Sequence, residues 1–130
     1  MTCDFHIHSS FSGDSDTPMQ DMIESAISHG LKTICFTEHY DEDYPEGEDD
    51  FSLDTSAYLQ TLCILKEQYC SEINIRFGVE LGMQPHLGKL YTDYIKNITQ
   101  FIKDHYGIET EYEKVETFNN LYVYKIKQIY

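Results

Sequence analysis

The sequence predicts an α/β fold, a partial or distorted βα barrel in which parallel strands carry helices on their flanks. Three observations point there. Three short segments with apolar residues at alternate positions are each followed by a loop and a stretch of helical period. All three carry His or Glu at or just beyond their ends, the place where parallel strands present a site. The chain has 130 residues, whereas a closed eight-unit barrel takes ~250, so there is room for one core and part of such a barrel.

Residues 3 to 8 form the first strand. Its period of two places Asp4, His6 and His8 on one side and turns Phe5 and Ile7 into packing. A loop from Ser9 to Asp16 follows. Thr17 then serves as a helix cap, with Pro18 at the first helical position and Gln20 completing a capping box. Met19, Met22, Ile23, Ala26 and Ile27 make one apolar stripe that Gly30 terminates. His29 in the last turn reads as facing solvent or the helix dipole rather than a metal, and His105 near a later helix end as structural.

The second strand, Thr33 to Thr37, puts Ile34 and Phe36 into packing and Thr33, Cys35, Thr37 and the following His39 on the other face. The loop Asp41 to Asp50 holds seven acids in ten positions and is expected to be solvated. A covering helix starts at Asp54 or Thr55, carries Tyr58, Leu59, Leu62, Cys63 and Leu65, and runs to about Ser71. The third strand, Ile75 to Glu80, turns Ile75, Phe77 and Val79 into packing and Arg76, Gly78 and Glu80 the opposite way. A helix from Lys89 to Lys103 presents Leu90, Tyr94, Ile95, Ile98 and Phe101. Beyond Gly107 the pattern weakens, and Leu121 to Ile129 alternates like an edge strand or hairpin arm. Residues 1–107 are therefore expected to form a partial metal-binding domain and 108–130 a divergent tail, a β hairpin or capping segment.

Twenty-three acids against nine Lys and Arg give a formal net charge of -14, which argues against nucleic acid or an anionic membrane as partner and suits cations. Cys3, Cys35, Cys63 and Cys70 lack zinc-ribbon and CxxC spacing, and Cys3 and Cys35 read as small buried hydrophobes. With no long apolar run and with Asp4 and His6 where a leader would be apolar, a cytoplasmic protein is expected.

If the strands are parallel, His6 and His8, then Glu38 and His39, then Glu80 converge at one rim. Neutral imidazole is a good donor to zinc, iron or manganese, and a carboxylate can bridge two ions. Asp4 and Glu38 are expected behind these ligands, orienting histidines. Asp14 and Asp16 both lie close enough in the first loop to ligate. His86, in the short loop after the third strand, reads as a ligand, a phosphate contact or an exposed residue, and Arg76 as a support for Glu80.

Asp4-Phe5-His6-Ile7-His8-Ser9, Phe11-Ser12-Gly13-Asp14, Thr37-Glu38-His39 and Gly78-Val79-Glu80-Leu81-Gly82 together resemble the amino-terminal half of a histidinol-phosphatase of the polymerase-and-histidinol-phosphatase (PHP) family, over residues 1 to about 97. Gly82-Met83-Gln84-Pro85-His86 is more similar to the phosphatase branch than to the exonuclease branch. The resemblance implies a distorted PHP-type βα barrel with up to three divalent ions (Mn, Fe or Zn), hydrolysing L-histidinol phosphate to L-histidinol and phosphate in histidine biosynthesis. It matches His6, His8, Asp14 and His39 to metal ligands, Glu80 to a bridging carboxylate and His86 to a site residue contacting substrate or metal. No separate catalytic side chain is assigned. The family's later Ser-x-His, Gly-His and Asp-x-His motifs do not occur in Ile98 to Tyr130.

The expected function is therefore a metal-dependent phosphomonoester hydrolase acting on a small phosphorylated substrate, with activity reduced or lost where later ligands are missing. Two alternatives stand beside it: another PHP metal hydrolase, such as an exonuclease, and an inactive truncated product or interaction module. Three or four βα units leave an open sheet edge, available for self-association into a homo-oligomer.

Overall fold

The computed structural model describes residues 2–43, 51–108, 110–118 and 121–128, and the chain divides into two compact units, Met1–Gly82 and Met83–Tyr130. The first unit runs β1 (Cys3–Ile7), α1 (Met19–Ser28), β2 (Thr33–Tyr40), α2 (Thr55–Gln68) and β3 (Asn74–Leu81). Its strands are parallel in the order β1-β2-β3. Among the described residues this sheet stays open, with β1 and β3 at its edges. The α/β class, the parallel sheet and the partial barrel are as the sequence predicts.

β2 organises the unit because its two faces differ in chemistry. Ile34 and Phe36 are fully buried and join Ile7, Ile75, Met19 and Ile23 of α1, and Tyr58, Leu62 and Leu65 of α2 in one core. Tyr58 ties the sheet together from α2, its hydroxyl lying 3.3 Å from the Phe36 carbonyl and 3.0 Å from that of Gly78. The opposite face carries Thr33, Cys35, Thr37 and His39, each half-buried. β2 runs through His39 to Tyr40, further than predicted, because β3 pairs with it in unbroken register from Thr33↔Asn74 to Tyr40↔Leu81.

Three details depart from the sequence reading. β1 pairs Asp4 with Ile34 and Ile7 with Phe36, so three steps on β1 oppose two on β2. This bulge breaks the strict alternation: Phe5 is 53% exposed rather than packed, and the Arg76 guanidinium lies 5.9 Å from its ring centre. The capping box on α1 does not form. Pro18 takes an extended conformation and is the cap residue, without a side-chain bond. Thr17 is held in the loop, where its carbonyl accepts from Ser10 N at 2.7 Å, and Gln20 bonds Glu24 instead. α2 does receive its predicted cap, Asp54 accepting from Ala57 N at 3.0 Å.

The second unit comprises α3 (Gly88–Tyr106), β4 (Thr110–Phe118) and β5 (Leu121–Gln128). Tyr91, Ile95, Ile98 and Ile102 are its buried stripe, at spacings of four, three and four, while Leu90 is exposed and Tyr94 and Phe101 are half-buried. The predicted stripe was thus rotated by about one residue. Gly107, at φ 65°, ends the helix in the left-handed conformation that glycine adopts without strain. β4 and β5 pair antiparallel with one irregularity between Lys114 and Glu116. No helix among the described residues is long and apolar enough to cross a membrane.

Gly78 offers a direct test of the β2–β3 packing. A Cβ there would meet the Phe36 carbonyl at 2.8 Å, Cys35 Sγ at 3.0 Å and Thr37 Cγ2 at 3.1 Å. Gly78→Ala is expected to destabilise the protein by about 1–3 kcal/mol, typical of overpacking, read as a lower urea midpoint at unchanged slope.

Candidate metal centre

Five predicted residues meet at the carboxyl ends of the three strands. His6 Nε2 lies 2.9 Å from Glu80 Oε2, His8 Nε2 lies 3.1 Å from the same oxygen, and the two Nε2 atoms are 3.1 Å apart. β1 and β3 are separated by β2, a span on the order of 9.5 Å, so these side chains must lean towards each other across the sheet. Small residues precede the paired His39 and Glu80 on that face, Thr37 opposite Gly78, and leave room for this. His39 Nε2 completes the group at 3.5 Å from Asp14 Oδ2 and 3.8 Å from Glu80 Oε2.

Two overlapping clusters result, His6–His8–Glu80 and His8–Asp14–His39. The first has the dimensions of an ion's ligand shell. Donors about 2.0–2.1 Å from a common ion are about 3.3 Å apart in a tetrahedron and about 2.9 Å apart in an octahedron, close to the 2.9–3.1 Å edges seen here. Three imidazoles with two carboxylates are a donor set suited to zinc, manganese or iron. The residues present therefore fit a divalent ion.

His8 links the clusters, since its Nδ1 lies 3.0 and 3.2 Å from the two oxygens of Asp14. A proton on Nδ1, accepted by Asp14, leaves the Nε2 lone pair for Glu80's side of the site. Burial raises the Asp14 pKa, but the hydrogen bond and charge of His8, with the charge of His39, outweigh it and hold the carboxyl below its ordinary value.

Asp41 is a site residue that the sequence reading placed in a solvated loop. It is one alternation beyond His39, and its Oδ2 lies 3.5 Å from His39 Nδ1. A Cβ on Gly82 would come within 2.5 Å of Asp41 Oδ1, so the missing side chain at Gly82 makes the seat for this carboxylate. The His39–Asp41 alternation at a strand end was the available signal. The rest of the acidic loop, residues 44–50, lies outside the described residues.

Glu38, expected at the rim beside His39, instead faces the core and is fully buried, because the period of two puts it on the side of Ile34 and Phe36. Its carboxylate accepts from Ser9 N at 3.2 and 3.0 Å, from Ser9 Oγ at 2.6 Å and from Ser12 Oγ at 2.8 Å. An uncompensated buried carboxylate costs several kcal/mol, and hydrogen bonds to a charged group return roughly 1.5–3 kcal/mol each, so three donors offset it to the same order. Asp4 accepts from the backbone N of His6 at 3.0 Å, not from an imidazole. Asp16 and His86 are exposed and belong to neither cluster; His86 lies in the second unit, in the turn before α3. His29 and His105 each bond a carbonyl four residues earlier, Ser25 O at 2.8 Å and Phe101 O at 3.0 Å.

Parallel strands that gather three imidazoles and two carboxylates at one rim define an α/β protein with a candidate divalent-metal centre. The chain belongs to the PHP domain family, whose sequence model, described as PHP domain, matches residues 4–126. It is 41% identical over 80 residues to the histidinol-phosphatase of Lactococcus lactis subsp. lactis (strain IL1403), a match covering 62% of this chain and 29% of the relative. A crystal structure of histidinol phosphate phosphatase from the same organism, complexed with zinc, L-histidinol and phosphate, superposes with a TM-score of 0.69 at 36% identity, over 73% of this chain and 35% of that one. The chain thus spans about a third of the length of these relatives.

The face beneath the cluster makes a separate prediction. Burial raises the Cys35 thiol to about 11 despite the Arg76 charge nearby, whereas Cys70 is exposed. At pH 8 Cys35 then carries roughly two-hundred-fold less thiolate than an ordinary thiol. Timed modification with a disulfide reagent, mapped by mass spectrometry, is expected to label Cys70 early and Cys35 last, with the difference abolished in denaturant.

Proposed function

We propose that this chain is a metal-dependent phosphomonoester hydrolase of the histidinol-phosphatase type, acting on L-histidinol phosphate. The observation that carries this reading is the convergence of His6, His8 and Glu80 at 2.9–3.1 Å, with Asp14 and His39 adjoining. Relatives named for that reaction support the substrate, one of them solved with zinc, L-histidinol and phosphate. His6 and His8 would hold one divalent ion through Nε2, Glu80 would lie between ions, and Asp14 and His39 would serve a neighbouring one. Bound ions would lower the pKa of water and neutralise charge on the phosphoryl oxygens and the leaving alkoxide. Asp14 would hold a His8 proton on Nδ1, and Asp41 approaches the His39 ring from behind its Nε2.

A second reading, a metal-binding module without turnover, rests on the two clusters alone, which supply ligands for an ion and no separate catalytic side chain. Phosphate release from histidinol phosphate, measured with manganese, iron and zinc in turn, separates the two. Wild type is expected to release phosphate, and Glu80→Ala to lose two orders of magnitude or more, on the order of the cost of losing one charge-stabilising group. Metal bound without turnover would favour the second reading. Wild type and His6→Ala equally devoid of metal after supplementation would overturn both.

A further inference from the structure

The two serines do more than satisfy the buried Glu38 carboxyl. β1 ends at Ile7, opposite Phe36, so the β1–β2 ladder stops before His39. The His39 N–H instead donates to Ser12 Oγ at 2.8 Å. The same oxygen donates its one hydrogen to Glu38 Oε2 at 2.8 Å, and Ser12 is only 4% exposed. One hydroxyl is thus pinned between the side chain of residue 38 and the backbone of residue 39.

The loop is pinned at two of its four serines. Ser9, next to His8, gives Glu38 both its N–H and its hydroxyl. Ser12 N donates to Ser9 O at 2.9 Å, and Ser15 N to Ser12 O at 3.3 Å, on either side of Asp14. Hence the three members of the second cluster, His8, Asp14 and His39, are referenced to one carboxylate. His6 and Glu80 instead contact each other and His8, at 2.9–3.1 Å.

We infer that Ser12 is a positioning residue for the second cluster: bridging Glu38 and the His39 backbone, it sets the separation of His39 from Asp14 and leaves the His6–Glu80 pair to other restraints. The inference rests on the metal reading above and deepens it by assigning one half of the centre a dedicated support. Ser12→Ala removes the acceptor for His39 N–H and a donor to Glu38 together, and losing a support behind a ligand typically costs 10–100-fold in metal affinity.

The test is a zinc titration of the full chain, followed through the ring resonances of His6 and His39. In Ser12→Ala the His39 response is expected to move to at least tenfold higher zinc while the His6 response stays within twofold of wild type, and Ser12→Thr, which keeps the hydroxyl, is expected to restore it. Equal displacement of both responses, or of neither, overturns the inference. Should Ser12→Ala not fold, Glu38→Gln is read for the same contrast under the same criteria. If no ring of the wild type responds to zinc, the metal reading fails by itself, and amide exchange without metal decides the clamp. The His39 amide is then expected to exchange at least tenfold faster in Ser12→Ala, or in Glu38→Gln, with Phe36 and Phe77 unchanged; an unaltered His39 rate overturns it.

Discussion

The first unit turns on a buried carboxylate. Among the described residues Glu38 is the one acid or base with no solvent exposure, and it sits on the core face of the central strand beside Phe36. A group of that kind is tolerated only where hydrogen bonds replace water. Those bonds come from Ser9 and Ser12, so satisfying the core and shaping the β1–α1 loop are the same event. That loop begins at His8 and contains Asp14. The candidate centre therefore inherits its geometry from the requirement to satisfy Glu38, and the apolar packing of Ile34, Phe36 and Ile75 supplies the platform on which this happens.

How much was legible in the sequence depended on whether a feature is periodic. β2 and β3 alternate cleanly, and reading Ile34 and Phe36 inward, with His39 and Glu80 on the opposite face, needed only the period of two. β1 was misread at Phe5 because a bulge inserts a residue without leaving a mark in the hydrophobic pattern. On α3 the apolar residues are too many to define one stripe, and Leu90 and Tyr94 competed with Tyr91 for the buried side. The α1 capping box failed for a different reason: Thr17 was already engaged by the loop before it, a tertiary demand that outranks a local motif. Of the site, the metal-ligand candidates were visible because few other roles suit closely spaced His and Glu at strand ends. Ser9, Ser12 and Asp41 were not, since serine and aspartate are ordinary loop residues and their partners are remote in sequence.

Cations would reconcile the net charge of -14 with the anionic substrate proposed above. A phosphate oxygen about 4 Å from one ionised carboxylate is disfavoured by about 4 kcal/mol at an effective dielectric constant of about 20. Asp14, Asp41 and Glu80 all border the cluster. A divalent ion held by His6, His8 and Glu80 would reverse the local sign, so that acids that repel a phosphate in a metal-free site would hold the charge that attracts it.

The placement of Asp14 divides the centre into unequal halves. Its two oxygens straddle His8 Nδ1, and a proton on that nitrogen would leave Nε2 free for the first cluster. The oxygen at 3.0 Å from that nitrogen, Oδ2, is also the one at 3.5 Å from His39 Nε2. An oxygen accepting a proton from His8 retains a second lone pair, so orienting His8 and contributing to the second cluster are compatible duties, but each constrains the other. Any ion drawn towards His39 pulls on the carboxylate that sets His8, and the two clusters are coupled through this one side chain. Occupation of the first cluster, which needs His8 Nε2, should accordingly be less sensitive to the loop than occupation of the second, where Asp14, His8 and His39 must all be held at once.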